Sequence, residues 1–174
     1  KYATWAGSML THSEPIVVIS EEGGEEEAVM RLGRIGFDNV AGYLADGMRA
    51  LESRPDLAER TDRITAPALA EWLAGERADA GAKPTVLDIR SEAEYAAGHI
   101  PGSLNIPLPH LEDRFGDVPS AGSLVVHCEG GYRSAIGASL LQKRGRQGVY
   151  DLVGGFKAWK AVHEPTDQAV ATQA

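Results

Sequence analysis

The 174-residue chain has a single cysteine, Cys128, so no intramolecular disulfide can form and a reducing, cytoplasmic setting is the expectation. Positive charge is scarce as well. Seventeen Lys and Arg against 25 Asp and Glu leave a formal net charge of −8, with a pI near 5.1. That balance argues against a general nucleic-acid binder and against docking on an anionic membrane surface. No apolar stretch reaches the roughly 18 residues of a membrane-spanning helix, and no signal-peptide pattern is present. The five histidines (His12, His99, His110, His127 and His163) fall at no close ligand spacing, so no metal site is expected in this chain. What is present is the composition of an ordinary globular protein, 43% hydrophobic and 24% charged, long enough for one large domain or two small ones.

Lys1 to Glu14 reads as a poorly patterned lead-in with a short helical turn near Trp5. Pro15-Ile16-Val17-Val18-Ile19 is a short β-branched run of the kind that forms a buried parallel strand. A turn at Ser20–Gly24 leads to a helix with Ala28, Leu32 and Ile35 on one face and Gly36 as its stop, then a weak strand at Asn39–Ala41 and a short helix at Leu44–Leu51. Glu52–Asp62 is charged, contains Pro55 and has no apolar face, as a linker would. Beyond it, Ile64 starts a strand and Thr65 caps a helix with Leu69, Trp72 and Leu73 inward, up to Gly75. After a loop at Glu76–Lys83, strand signals at Thr85–Ile89, Leu104–Ile106, Ser123–His127 and Gly148–Leu152 alternate with helical ones at Glu92–Ala97, Leu111–Phe115, Ser134–Arg144 and Phe156–Val162. Such alternation predicts an α/β fold with a doubly wound parallel sheet.

The chain also compares with itself. Shifted by 108 residues, Val17-Val18 falls on Val125-Val126, Ser20 on Cys128, Gly23 on Gly131 and Leu32 on Leu140. A one-residue insertion places Gly36 on Gly145 and Val40 on Val149; the original shift then returns, with Leu44 on Leu152, Gly47 on Gly155, Met48 on Phe156 and Leu51 on Trp159. In the first copy serine replaces the cysteine and Glu25 stands where the second has Arg133, so the first cannot do cysteine chemistry. Glu21, Glu22, Glu26 and Glu27 around its turn would repel an anion, or simply form a solvated helix start.

The second copy's turn is His127-Cys128-Glu129-Gly130-Gly131-Tyr132-Arg133-Ser134, between an apolar strand and a helix. A thiol with an ordinary pKa of about 8.5 needs help to be a thiolate near neutral pH. Here Gly130 and Gly131 let the backbone N–H groups curl inward, the helix adds its positive dipole end and Arg133 adds a full charge. The alternative is an inert cysteine closing a strand.

Val86-Leu87-Asp88-Ile89-Arg90, Glu94-Tyr95, Gly98-His99-Ile100-Pro101-Gly102-Ser103, the Cys128 loop and Val153-Gly154-Gly155-Phe156 together resemble a rhodanese domain over residues 61–162. The resemblance implies a five-stranded parallel sheet flanked by helices, and transfer of sulfane sulfur through a persulfide on Cys128. Glu129, Gly130, Gly131, Tyr132, Arg133 and Ser134 would then form the substrate-binding loop, with Arg133 holding the anion, Glu129 pointing outward and Tyr132 in the pocket wall. Asp88 and Arg90 would be a supporting, mainly structural pair. Four residues separate Cys128 from Arg133, as in the sulfurtransferases; the rhodanese-fold phosphatases, the alternative, have five. His99 is expected to make structural hydrogen bonds, His127 to be a core residue, and Lys143, Arg144 and Arg146 to form a solvated basic cluster.

The whole chain is similar to the C-terminal part of metallo-β-lactamase-fold proteins fused to rhodanese domains, on Ala3–Ser8, Pro15–Val18, Glu25–Ala28 and Ile35–Leu44. It is therefore expected to comprise a partial, inactive rhodanese-like repeat (1–51), a linker (52–60), an active-type rhodanese domain (61–162) and a loose tail (163–174). The resemblance implies small sulfur anions or persulfides as donors and a thiol such as glutathione as acceptor. It also implies an upstream domain that would carry iron, with no cofactor in this chain. A non-catalytic docking module is the competing expectation.

Overall fold

The computed structural model describes residues 2–76, 81–162 and 166–167. The chain divides into two compact units, Lys1–Arg60 and Thr61–Ala174.

The first unit holds α1 (Tyr2–Met9), β1 (Ile16–Val18), α2 (Glu25–Gly33) and β2 (Val40–Tyr43), followed by 3-10 turns at Gly47–Leu51 and Pro55–Leu57. The two strands form a parallel pair, the smallest βαβ unit. Its core is Val18, Leu32 and Phe37, with Ala6, Ile16, Ala28, Ile35 and Val40 packed around them. Three sequence expectations need correction here. The lead-in is an eight-residue helix rather than a single turn. The segment at Leu44–Leu51 is a turn and a 3-10 helix. Nor is β1 a buried strand: Val18 is covered, but Val17 is 61% and Ile19 51% exposed. A continuous apolar run is buried on both faces only where both faces and edges are covered. A two-stranded sheet cannot do that.

The second unit contains β3 (Asp62–Ile64), α3 (Ala66–Ala74), β4 (Thr85–Asp88), α4 (Glu92–Ala96), β5 (Leu104–Asn105), β6 (Leu124–His127), α5 (Tyr132–Lys143), β7 (Val149–Leu152) and α6 (Gly155–Ala161). All five strands run parallel in the order β3-β7-β6-β4-β5. On one face α3 and α6 meet, and Leu69, Trp72, Phe156 and Trp159 pack with Val86, Val125 and Leu152 of the sheet. Each such side chain contributes about 1.5–3 kcal/mol when fully buried. On the other face α5 comes close enough that a methyl added at Gly137 would lie 2.8 Å from Ile89 Cδ1.

Several local expectations are revised. Ile64 ends β3 instead of starting a strand, and Thr65 precedes α3 without a side-chain cap. Leu111–Phe115 is not a helix; 3-10 turns at Leu108–His110 and Phe115–Asp117 flank it, each too short to show a helical period. The supposed tail is partly anchored, because Asp167 and His99 exchange backbone hydrogen bonds of 2.7 and 2.9 Å. Residues 163–165 and 168–174 of that tail, and 77–80 of the loop before β4, lie outside the described residues.

The β1–α2–β2 and β6–α5–β7 segments share a strand register at two positions. Val17 pairs with Gly42 and Val18 with Tyr43; 108 residues on, Val125 pairs with Tyr150 and Val126 with Asp151. Ile16 pairs with Val40, one residue out of step, and a bulge between Ile16 and Val17 restores the register. The extra residue of that bulge, Ala41, falls where the sequence alignment returns to the 108-residue shift.

Candidate active site

After β4 the sheet continues to β5 on one side, and after β6 to β7 on the other. The carboxyl ends of β4 and β6 therefore bound the crevice where open α/β sheets bind ligands. β4 delivers Asp88 and Arg90 to it, and β6 delivers Cys128.

Cys128 is almost fully buried, at 1% exposure. The carbonyls of Cys128 and Glu129 accept hydrogen bonds from the N–H groups of Phe156 (2.7 Å) and Lys157 (3.0 Å) in the first turn of α6. This approach requires glycine at 155. The residue is left-handed (φ 58°), and an added methyl would lie 2.9 Å from the Glu129 carbonyl and closer still to that of Cys128. With these carbonyls held by α6, Gly131 (φ 96°) turns its N–H onto Cys128 Sγ at 3.1 Å. Ser134 Oγ lies 3.6 Å from the same sulfur and donates to the Gly131 carbonyl at 3.1 Å. The sulfur thus sits at the start of the 12-residue α5, where unpaired N–H groups and the helix dipole favour negative charge.

Arg133 is beside this loop but is not an open anion clamp. Its two terminal nitrogens donate to both oxygens of Glu94, at 2.8 and 2.6 Å. Glu94 also accepts from the backbone N–H and hydroxyl of Ser91 at the head of α4, and Ser91 Oγ accepts from the Glu94 N–H. The Arg133 guanidinium, helped by Ser91, pulls the Glu94 carboxyl from an ordinary 4.5 down to about 2, against the desolvation that would raise it. Glu94 in turn raises the pKa of Arg133, with a smaller contribution from Cys128. Sequence inspection alone overlooks Glu94 as a site residue. The Ser91-x-x-Glu94 capping pattern is visible in the sequence, but its partner 39 residues downstream is not.

Asp88 and Arg90 are both buried, at 0% and 2% exposure. Asp88 accepts from Arg90 Nε at 3.0 Å and from Nη2 at 2.6 Å, while Nη2 also donates to the Gly98 carbonyl at 2.7 Å. Arg90 Nη1 reaches Glu129 at 3.2 Å, and the guanidinium lies 4.0 Å over the Phe156 ring. One side chain thereby ties together β4, the Gly98 turn, the cysteine loop and α6. Glu129 does not simply point outward; its second oxygen is 3.5 Å from Lys160 Nζ. His127 is a core residue: burial outweighs Asp88 and holds its pKa down, so the 3.6 Å approach to Asp88 joins a neutral ring to a carboxylate near neutral pH.

The sequence profile of the rhodanese-like domain matches residues 69–162. The chain belongs to the rhodanese-like family. Two curated relatives are the Bacillus subtilis protein YqhL, 36% identical over 51% of this chain and 67% of its own length, and the thiosulfate sulfurtransferase GlpE of Coxiella burnetii, 32% identical over 48% of this chain and 78% of its own. Two further curated relatives, one from Mycobacterium tuberculosis and one from Bacillus subtilis, are matched over less than half of their length. Among solved structures, a rhodanese-related protein from Thermoplasma volcanium superposes with a TM-score of 0.54 at 28% identity, covering 61% of this chain and 97% of that one.

In this rhodanese-like domain a cleft of about 300 Å³ opens beside the cysteine loop, lined by Arg90, Glu94, Gly98, Glu129, Phe156 and Lys160 among others. Tyr132, the first residue of α5, is 55% exposed. A methyl at Gly130 would meet nothing within 4 Å, so that glycine leaves the loop's outer side open. His99 is structural, with Nδ1 3.0 Å from the Tyr95 carbonyl and its ring stacked 3.8 Å from that of Tyr95. Of the expected basic cluster, Lys143 and Arg144 are exposed, but Arg146 is buried and donates to the carbonyls of Pro119 (2.7 Å), Gly122 (2.8 Å) and Gln147, stapling a loop. A larger hollow of about 700 Å³ lies in the first unit, lined by Ile19, Ser20, Glu21, Glu22, Asp46, Met48 and Arg49. It contains no thiol, so volume alone does not locate the chemistry. Among the described residues no group of side chains is arranged to hold a metal ion, and no helix is long and apolar enough to cross a membrane.

Proposed function

We propose that the protein is a sulfurtransferase that moves sulfane sulfur from thiosulfate or a glutathione or other low-molecular-weight persulfide to a thiol, through a persulfide on Cys128. The observation that carries this is the Gly131 N–H placed 3.1 Å from Cys128 Sγ at the start of α5. A thiolate and the persulfide made from it are both anions at that point, and both gain from the same donor and dipole. In the first step the Cys128 thiolate attacks the outer sulfur of the donor. A new S–S bond forms, the donor's own S–S bond breaks, and its electron pair leaves with sulfite or a thiolate. In the second step an acceptor thiolate such as that of glutathione attacks the outer sulfur of the Cys128 persulfide. The Cys128 thiolate is released and the acceptor leaves as a persulfide. Glu129, Gly130, Gly131, Tyr132, Arg133 and Ser134 form the loop around the transferred sulfur, and Asp88 and Arg90 fix its position. The four-residue spacing from Cys128 to Arg133 favours sulfur over the larger tetrahedral oxyanion of a phosphatase.

We also infer that the first unit is an inactive copy of the β6–α5–β7 portion. Support comes from the shared strand register and from the turn after each second strand. Asp46 (φ 62°) and Gly47 (φ 54°) repeat the left-handed pair Gly154 (φ 72°) and Gly155 (φ 58°). A methyl at Gly47 would strike the Ser20 carbonyl as one at Gly155 would strike that of Cys128. An iron-carrying, metallo-β-lactamase-fold domain upstream is proposed as a partner on the sequence resemblance alone.

The test is intact-protein mass spectrometry after incubation with thiosulfate and, separately, with glutathione persulfide. Gain of one sulfur in the native protein, and none in Cys128→Ser, is the expected result. An unmodified Cys128 with both donors would leave only the docking role.

A further inference from the structure

Among the described residues three cations stand at the cleft or its rim, and each is matched by a carboxylate. Arg90 is held by Asp88 and Glu129, Lys160 approaches Glu129, and both terminal nitrogens of Arg133 lie on Glu94. With Asp88, Glu94 and Glu129 ionised, these six groups carry no net charge. A donor entering the cleft therefore finds no excess of positive charge to offset its loss of hydration, and that loss is greater for a doubly charged anion than for a singly charged one.

The three carboxylates are not equally placed to choose a donor. Asp88 is wholly buried beneath Arg90. Glu94 is locked by the N–H and hydroxyl of Ser91 as well as by Arg133. Glu129 follows the nucleophile directly, is 42% exposed, lines the cleft, and spans Arg90 on one side and Lys160 on the other. Removing its charge leaves Lys160 without its carboxylate and an excess of one positive charge among these groups, while Arg90 keeps its buried partner Asp88.

We propose that Glu129 is a specificity-determining residue, setting the site for singly charged alkyl persulfides over doubly charged thiosulfate. This rests on the sulfurtransferase reading above. The favoured step joins the Cys128 thiolate to the outer sulfur of the alkyl persulfide; the donor's S–S bond breaks and an alkyl thiolate leaves with the electron pair. Lys160, 4.7 Å over the Phe156 ring, is held in place by that ring as well as by Glu129, so it stays at the cleft when the carboxylate is gone.

The experiment measures kcat/KM for thiosulfate and for 2-hydroxyethyl persulfide with one common acceptor, in the native protein, Glu129→Gln and Glu129→Lys. The ratio of thiosulfate to persulfide efficiency is expected to rise about tenfold in Glu129→Gln, and further in Glu129→Lys, as expected for gaining one charge contact at a half-exposed site. The gain should shrink in high salt. A general disturbance of the loop would lower both efficiencies and leave their ratio alone, and an unchanged ratio with both donors turned over overturns the proposal. A native protein that takes sulfur from neither donor overturns the sulfurtransferase reading, and this inference with it.

Discussion

Gly155→Ala tests whether the close approach of α6 to the cysteine loop sets the position of the sulfur. Two costs combine. The residue is left-handed (φ 58°), which costs an L-residue with a Cβ about 1–2 kcal/mol. The new methyl would also lie 2.9 Å from the carbonyl carbon and oxygen of Glu129. Those are backbone atoms and cannot swing aside, so an overpacking cost of about 1–3 kcal/mol is added. The expected loss is roughly 2–5 kcal/mol, read as a lowered denaturation midpoint with an unchanged slope. Relief of the clash must displace the loop that carries Cys128, and a misplacement of about 1 Å at a reacting centre can cost on the order of a hundredfold in rate. Gly130→Ala is the control for stability. That residue is not left-handed, and a methyl there meets nothing within 4 Å, so its midpoint should barely move. Equal midpoints for Gly155→Ala and the native protein, or an equal loss in both variants, would refute the reasoning.

Asp88→Ala strands the buried Arg90 charge with only the half-exposed Glu129 as a carboxylate partner, and should cost about 3–5 kcal/mol in chemical denaturation. Replacing Asp88 and Arg90 together by leucine and methionine should cost less than the single change, because no charge is left buried. The Glu94 carboxyl, held at about 2 against an ordinary 4.5, contributes stability that is present above pH 4.5 and lost as pH falls through about 2. Glu94→Gln should therefore flatten the acid limb of the stability profile between those values. An acid limb identical to that of the native protein would show that the pair with Arg133 contributes nothing.

The parallel α/β architecture and the candidate nucleophile were legible because their signals are local. β-branched runs at Thr85–Ile89 and Ser123–His127, glycines at the turns and the lone thiol before a helix each declare themselves within a few residues. The elements that escaped were those whose period is too short to register, such as the 3-10 turns around Leu111, or whose cover depends on neighbours, as with the exposed Val17 of β1 and Ile19 just after it. Arg146 looked like part of a solvated cluster because its partners, the carbonyls of Pro119 and Gly122, belong to backbone atoms 24 or more residues away.

By itself, the sequence determined which atom is the candidate nucleophile and what flanks it along the chain: Cys128, its two glycines, and the helix that follows. Tertiary structure decided how the charges near that atom are spent. Arg133, expected to be free for an anion, is closed on Glu94 from α4, and Glu129 joins Arg90 to Lys160 instead of facing solvent. Strand and helix periods report on neighbours a few residues apart. Ion pairs across 39 residues arise only once the sheet has brought the ends of β4 and β6 side by side, and the electrostatics of the site are set at that step.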